Sequence, residues 1–170
     1  DPFSVCCAFD PAPRLIVVGS DPTALAIASL GITAGFQTWL NRPKGPASAP
    51  PVHGLGYLRQ EPQNALSEVG LDPWTYVAVA SHDRDTDHPA LVAALMSPAA
   101  YVGLLGARRR RPERLAALRA DGVPDDAIKR LHAPIGVDLG GKAPWEVAIS
   151  VLGEMIQTRR IAKLRASKTV

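Results

Sequence analysis

The sequence predicts an α/β fold: a doubly wound, mostly parallel sheet in three layers, closed by a long carboxyl-terminal helix. Three observations carry this. Short apolar runs recur at 14–18, 76–80 and 101–105, each followed by Gly or Ser; runs of that length between turn signals read as strands buried on both faces. Helical patterns separate them, the alternation that builds parallel strand–helix–strand units. The composition of the 170 residues, 46% apolar and 21% charged, is that of a globular chain long enough to bury a core without disulfide or metal staples.

Arg14 to Val18 is the first buried strand, ending at Gly19. Asp21-Pro22 supplies a helix N-cap followed by proline at the first helical position. Ala24, Leu25, Ile27, Ala28 and Leu30 give that helix an apolar face, and Gly35 suits its end. Phe36 to Leu40 completes a βαβ crossover. Residues 42–54, rich in Pro, Gly, Ala and Ser, read as a loop, Leu55 to Leu58 as a weak strand, and 62–69 as a short helix. Tyr76 to Ala80 is a strong buried strand, His82 to His88 a polar loop, and Ala90 to Met96 a helix that Asp87, ahead of Pro89, would cap. Tyr101 to Leu105 is the third apolar strand. Arg108 to Arg119 reads as a basic amphipathic helix, 131–137 as a short apolar segment, and Pro144 to about Lys163 as the closing helix.

The net charge of +3 is no nucleic-acid signature, aromatic residues are scarce and no reading element is recognisable, so nucleic acid is not expected as a partner. Charge is instead segregated: six acids and one base between Glu61 and His88, six arginines and one acid between Arg108 and Arg119. Such faces orient anionic ligands or acidic partners. The longest uncharged stretch, Pro22 to Asn41, is too polar for a membrane span. Cys6 and Cys7, adjacent and the only cysteines, make no disulfide framework and read as buried or reactive thiols in a reducing compartment. Asp1 is not a natural start, so the sequence reads as a fragment or trimmed product.

In doubly wound sheets ligands sit beyond the carboxyl ends of the strands. That rule selects four loops. Gly19 to Ala24 keeps the first and last positions of a dinucleotide fingerprint, but Asp21 replaces the middle glycine that lets a pyrophosphate approach, and Leu40-Asn41 stands where an acid should bind ribose. Asp21 also reads as a plain helix cap. Ser81 to His88 imitates the start of a calcium loop and lacks its later glycine and glutamate; His82-Asp83 there suits an acid–base or ligand-orienting pair. His82, Asp83 and His88 lack a known metal-ligand spacing. After Gly106, Arg108 and Arg109 at a helix start suit phosphate, or form a solvated face. Gly136 to Lys142 fits the core of a phosphate loop, but Ala143 replaces the magnesium-binding hydroxyl residue. There Asp138 suits backbone amides, Lys142 an anion, and Glu146 a capping role in the next helix.

Taken together, Ser81-His82-Asp83 with Asp87 and Pro89, Tyr101 to Gly106 with Arg108 and Arg109, and His132 to Gly140 resemble the carboxyl-terminal Rossmann-like domain of the xanthine dehydrogenase accessory factors of the XdhC/CoxI type. The similarity runs from about Arg14 to Arg160. It implies a cytoplasmic maturation factor for a molybdenum hydroxylase, a chaperone more than a catalyst. Such a factor binds the molybdenum cofactor, as molybdopterin or its dinucleotide form, aids its sulfuration with a cysteine desulfurase and passes it to the apoenzyme. Residues 1–13 would be an entering segment, 14–165 the Rossmann-like domain and 166–170 a basic tail. Gly19, Ser20, His82, Asp83, Gly106, Arg108, Arg109, Gly136, Asp138 and Lys142 would contact the cofactor. The family's first loop usually reads Gly-Ala-Gly-His-Val-Ala; Asp21 departs from it. Two alternatives stay open at this point: an NAD(P)-binding oxidoreductase and a degenerate scaffold. The closing helix could also pack against a second copy in a homodimer.

Overall fold

The computed structural model describes residues 11–106 and 108–166, with side chains to Ile161. Cys6 and Cys7, most of the entering segment and residues 167–170 lie outside the described residues.

Six strands form one parallel sheet: β1 Arg14–Val18, β2 Gln37–Asn41, β3 Leu55–Leu58, β4 Thr75–Val79, β5 Tyr101–Leu104 and β6 Leu131–His132. Their order is β3-β2-β1-β4-β5-β6. In register, Val18 lies beside both Asn41 and Val79. The chain thus winds outward from β1 to one edge, returns, and winds to the other, leaving a switch point between β1 and β4.

Strand alternation divides the core. Leu15 and Val17 face one side of β1 and Ile16 and Val18 the other, all fully buried. On the first side, helices α1 (Pro22–Thr33) and α6 (Pro144–Ala166) pack together over Leu40, Tyr76 and Ala78, burying Ile27, Val151, Leu152 and Met155. On the second, α2 (Pro62–Val69), α3 (Arg84–Leu95), α4 (Arg111–Ala120) and α5 (Asp125–Ile128) bury Leu66, Leu91, Leu95, Leu118 and Ile128 against Val77, Val79 and Val102. Leu91 and Leu118, fully sequestered, are each worth about 1.5–3 kcal/mol of transfer free energy.

Three elements differ from the sequence expectation. Helix α3 begins at Arg84, six residues before the expected Ala90, and runs through Pro89. Asp83, not Asp87, caps it, accepting from the Asp85 amide at 3.1 Å; Asp87 is turned inward and 1% exposed. Pro89 deprives the helix of one i to i−4 bond, which burial of Ala90, Leu91 and Ala94 outweighs. The basic segment opens as a 3₁₀ turn, Arg108–Arg110, before α4. The apolar stretch at 131–137 contributes only Leu131–His132 to the sheet, beside Val102 and Gly103.

Candidate functional site

The strand ends β1, β4 and β5 deliver three loops to one edge, and the 133–143 loop after β6 closes over them. Gly19 is fixed by packing: a Cβ there would lie 2.3 Å from the Ala80 carbonyl oxygen, so β1 and β4 approach this closely only with glycine. Asp21 caps α1, its Oδ1 accepting from the Ala24 amide at 2.8 Å. Its Oδ2 lies 3.0 Å from Nε2 of His82, which crosses from the loop after β4. His82 has φ +59, a left-handed backbone uncommon outside glycine and a mark of an over-determined position. The Asp21–His82 bridge therefore spans the switch point.

Neighbouring polar groups are committed to structure in part, since the buried Asn41 Oδ1 and Arg42 Nε have no partner in the protein. Asn41, fully buried at the end of β2, donates through Nδ2 to the Gln60 carbonyl at 2.9 Å, tying β2 to the chain after β3. Arg42 donates to the Ser20 carbonyl at 2.9 Å. Lys44 Nζ is 3.3 Å from Asp83, and the Thr86 hydroxyl, the Asp85 amide and Lys44 together hold the Asp83 carboxyl below its ordinary range. His88 pairs with Asp121 at 2.6 Å, away from His82. Among the described residues, no three His, Cys, Asp or Glu side chains are grouped to hold a metal ion.

Beside the bridge, on the β5–β6 side, opens a cleft of about 620 Å³, within the range of small-molecule sites. Part of its wall is apolar: Leu104, Leu105, Ala133, Pro134 and Val147. Part is cationic: Arg110, Arg111, Arg114 and Lys142, and Thr23 and His82 also line it. Asp87 lies at the base of the cationic wall, accepting from the Ser81 hydroxyl at 2.5 Å and from Arg114 Nη2 at 3.1 Å. Burial pushes the Asp87 carboxyl up, against the pull of Ser81, Arg114 and His82. Arg114 is thereby fixed, while its Nη1 is buried with no partner in the protein. An arginine so held, next to an apolar wall, suits the phosphate of a flat heterocyclic ligand.

A second cluster holds α6 to the 133–143 loop. Glu154 of α6 accepts from the Tyr101 hydroxyl, from the Gly136 amide at 2.8 Å and engages His132 Nδ1 at 3.0 Å. Tyr101 and His132 stack with centroids 4.4 Å apart. Burial raises the Glu154 carboxyl, but the three donors outweigh it and hold the group below the ordinary glutamate range. Burial and Glu154 push the Tyr101 hydroxyl far up, so it remains a donor. Gly136, with φ +90, leaves its missing Cβ space to Ser150, whose Oγ would be 2.3 Å away. Glu146 caps α6 as expected, accepting from the Lys142 and Ala143 amides at 2.9 Å each.

Of the ten residues singled out from sequence as cofactor contacts, His82, Gly106 and Lys142 line the cleft. Gly19 and Gly136 permit close packing against Ala80 and Ser150, Ser20 offers its carbonyl to Arg42, and Asp83 caps α3. Arg108 and Asp138 lie 3.5 Å apart as an exposed pair, and Arg109 is exposed; none of these three lines the cleft. Asp87, Arg110, Arg111 and Arg114 were not among the ten. The arginine run was the available signal for three of them, but the 3₁₀ turn advances the cleft-facing positions two places along it. Only the fold brings Asp87 to Arg114.

Residues 15–155 match the family of the XdhC Rossmann domain. The uncharacterized protein YqeB of Escherichia coli K12 is 32% identical over 158 residues, which span 88% of this chain and 28% of that protein. A probable xanthine dehydrogenase subunit of Bacillus subtilis 168 is 28% identical over 153 residues, 89% of this chain and 44% of that one. The molybdenum cofactor insertion chaperone PaoD of Escherichia coli K12 is 26% identical over 151 residues, 89% and 42% respectively. The crystal structure of a xanthine dehydrogenase from Bacillus halodurans superposes with a TM-score of 0.71 at 26% identity, covering 88% of this chain and 43% of that one. The chain thus spans less than half the length of each of these relatives. With the strand order, the glycine-dependent loops and the match over residues 15–155, the chain belongs to the XdhC Rossmann domain family.

Proposed function

We propose that this chain serves the maturation of a molybdenum hydroxylase of the xanthine or carbon monoxide dehydrogenase type, and that its cleft holds the molybdenum cofactor as cargo. One observation supports the site most: Arg114, fixed by buried Asp87, keeps a buried Nη1 without a protein partner at a cleft whose wall is in part apolar. A pterin has a flat ring for the apolar wall and a phosphate for the cationic one. Arg110, Arg111 and Lys142 would add charge-assisted hydrogen bonds at the rim. The names of the relatives from Bacillus subtilis and PaoD support a role beside a molybdoenzyme. Sulfuration with a cysteine desulfurase, in the cytoplasm, and handover to the apoenzyme complete the proposed sequence. The chain's own residues would bind and release; no reaction is assigned to them.

The test is a titration of molybdenum cofactor into the native chain and into Arg110→Ala, Arg111→Ala and Arg109→Ala. Each charged hydrogen bond lost is worth about 1.5–3 kcal/mol, so the first two should weaken binding roughly ten- to hundredfold. Arg109→Ala, outside the cleft lining, should stay close to native. Equal effects of all three would refute the placement.

A further inference from the structure

The Asp21–His82 bridge does something the proposed role does not require. In dinucleotide-binding folds the pyrophosphate rests on the amino terminus of the first helix, taking its amides and its positive dipole end. Here that position already has an anion. The Asp21 carboxylate accepts the Ala24 amide at 2.8 Å, the Leu25 amide is spent on the Asp21 carbonyl, and Pro22 has no amide to offer. The second carboxylate oxygen lies 3.0 Å from His82 Nε2. Asn41 stands at the β2 end where an acid would bind ribose; its Nδ2 donates to the Gln60 carbonyl, while its Oδ1 is buried without a partner in the protein. The cleft itself lies to the other side, with Thr23 and His82 at its β1 boundary and Arg114 and Lys142 within.

We infer that the Asp21–His82 bridge is a specificity determinant, a resident anion that closes the β1 crevice to extended dinucleotides and confines the ligand to the β5–β6 cleft, which accepts a heterocyclic phosphomonoester. A pterin phosphate and a purine mononucleotide share that chemistry. The inference rests on the cleft being the ligand site of the proposed function, but not on the ligand being a pterin.

Two variants open the crevice by different routes. Asp21→Gly restores the fingerprint glycine and, as an N-cap, glycine weakens the helix only slightly. Asp21→Asn keeps a side chain able to cap α1 and removes the negative charge. The probes are guanosine 5′-monophosphate, whose guanine shares the aminopyrimidinone ring of pterins, guanosine, and NADH, with binding followed by calorimetry and NADH fluorescence. The native chain should bind the monophosphate at least tenfold tighter than guanosine and at least tenfold tighter than NADH. In both variants the NADH-to-monophosphate preference should shift toward NADH by tenfold or more. Native binding of NADH as tight as that of the monophosphate, no binding of the monophosphate, or an unchanged preference in both variants would overturn the inference. Molybdopterin is then added to the native complex. If it displaces the monophosphate, the two share the cleft; if it does not, the cofactor reading fails while the determinant stands.

Discussion

Replacing Glu154 with alanine should unfasten α6 from the loop that roofs the cleft. The carboxylate is the shared acceptor of the Tyr101 hydroxyl, the Gly136 amide and His132. Tyr101 is 1% exposed, so its hydroxyl would be left buried without a partner, at about 1–3 kcal/mol. The Gly136 amide is half-buried and adds up to about as much again. His132, partly exposed, can turn to water and contributes little. The sum is about 2–5 kcal/mol, a large fraction of the stability of a domain this size. Glu154→Gln keeps one acceptor oxygen and should lose roughly half of that. Urea unfolding followed by tryptophan fluorescence and circular dichroism measures both. Tyr101→Phe in the Glu154→Ala background should recover part of the loss, because it removes the stranded hydroxyl. A loss under about 1 kcal/mol for Glu154→Ala, or no recovery in the double variant, would refute the reasoning.

Two further outcomes are expected. Gly19→Ala should fail to fold or unfold far below the native temperature, because the added carbon meets the Ala80 carbonyl at 2.3 Å and backbone cannot step aside cheaply; a native melting curve would contradict this. Buried Asp87 and half-buried Glu154 should bend the pH dependence of stability in opposite directions. Glu154 is held below its ordinary value of 4.5, so its contribution is present above that value and lost as pH falls through the folded pKa. Asp87 is held above its ordinary value of 3.8, so the native state keeps the proton longer than the unfolded chain and stability falls as pH rises through that window. Unfolding series in acid on Glu154→Gln and Asp87→Asn should each lose their own limb; identical profiles in all three proteins would contradict the assignment.

The fold was legible because its signals are local. After Arg14 and Thr75 at their starts, strands Arg14–Val18 and Thr75–Val79 are, like Tyr101–Leu104, almost wholly apolar, as strands covered on both faces tend to be. Asp21-Pro22 announced α1, and Asp21 does cap it. The beginning of α3 was hidden by Pro89 and by a run of acids and histidine that looks like a loop until Asp83 caps the first turn and Asp87 turns inward. Two-residue β6 and four-residue α5 are too short to leave a period. The site was legible only as a set of loops. Glycines and the arginine run mark the edge of the sheet where the cleft opens, but which arginines line it depends on a 3₁₀ turn. The pairs that shape it (Asp87 with Arg114, Asp21 with His82, Glu154 with Tyr101) join distant segments and leave no local trace.

Whether the cleft of this Rossmann domain carries the molybdenum cofactor is decided by loading the purified chain with cofactor and removing unbound pterin. The protein-bound fraction is then measured in the native chain and in Arg114→Ala, after circular dichroism has shown both folded. Near-stoichiometric cofactor is expected on the native chain, and at least a tenfold weaker complex in the variant. A folded native chain that retains no cofactor, or a variant that retains as much as native, would contradict that role.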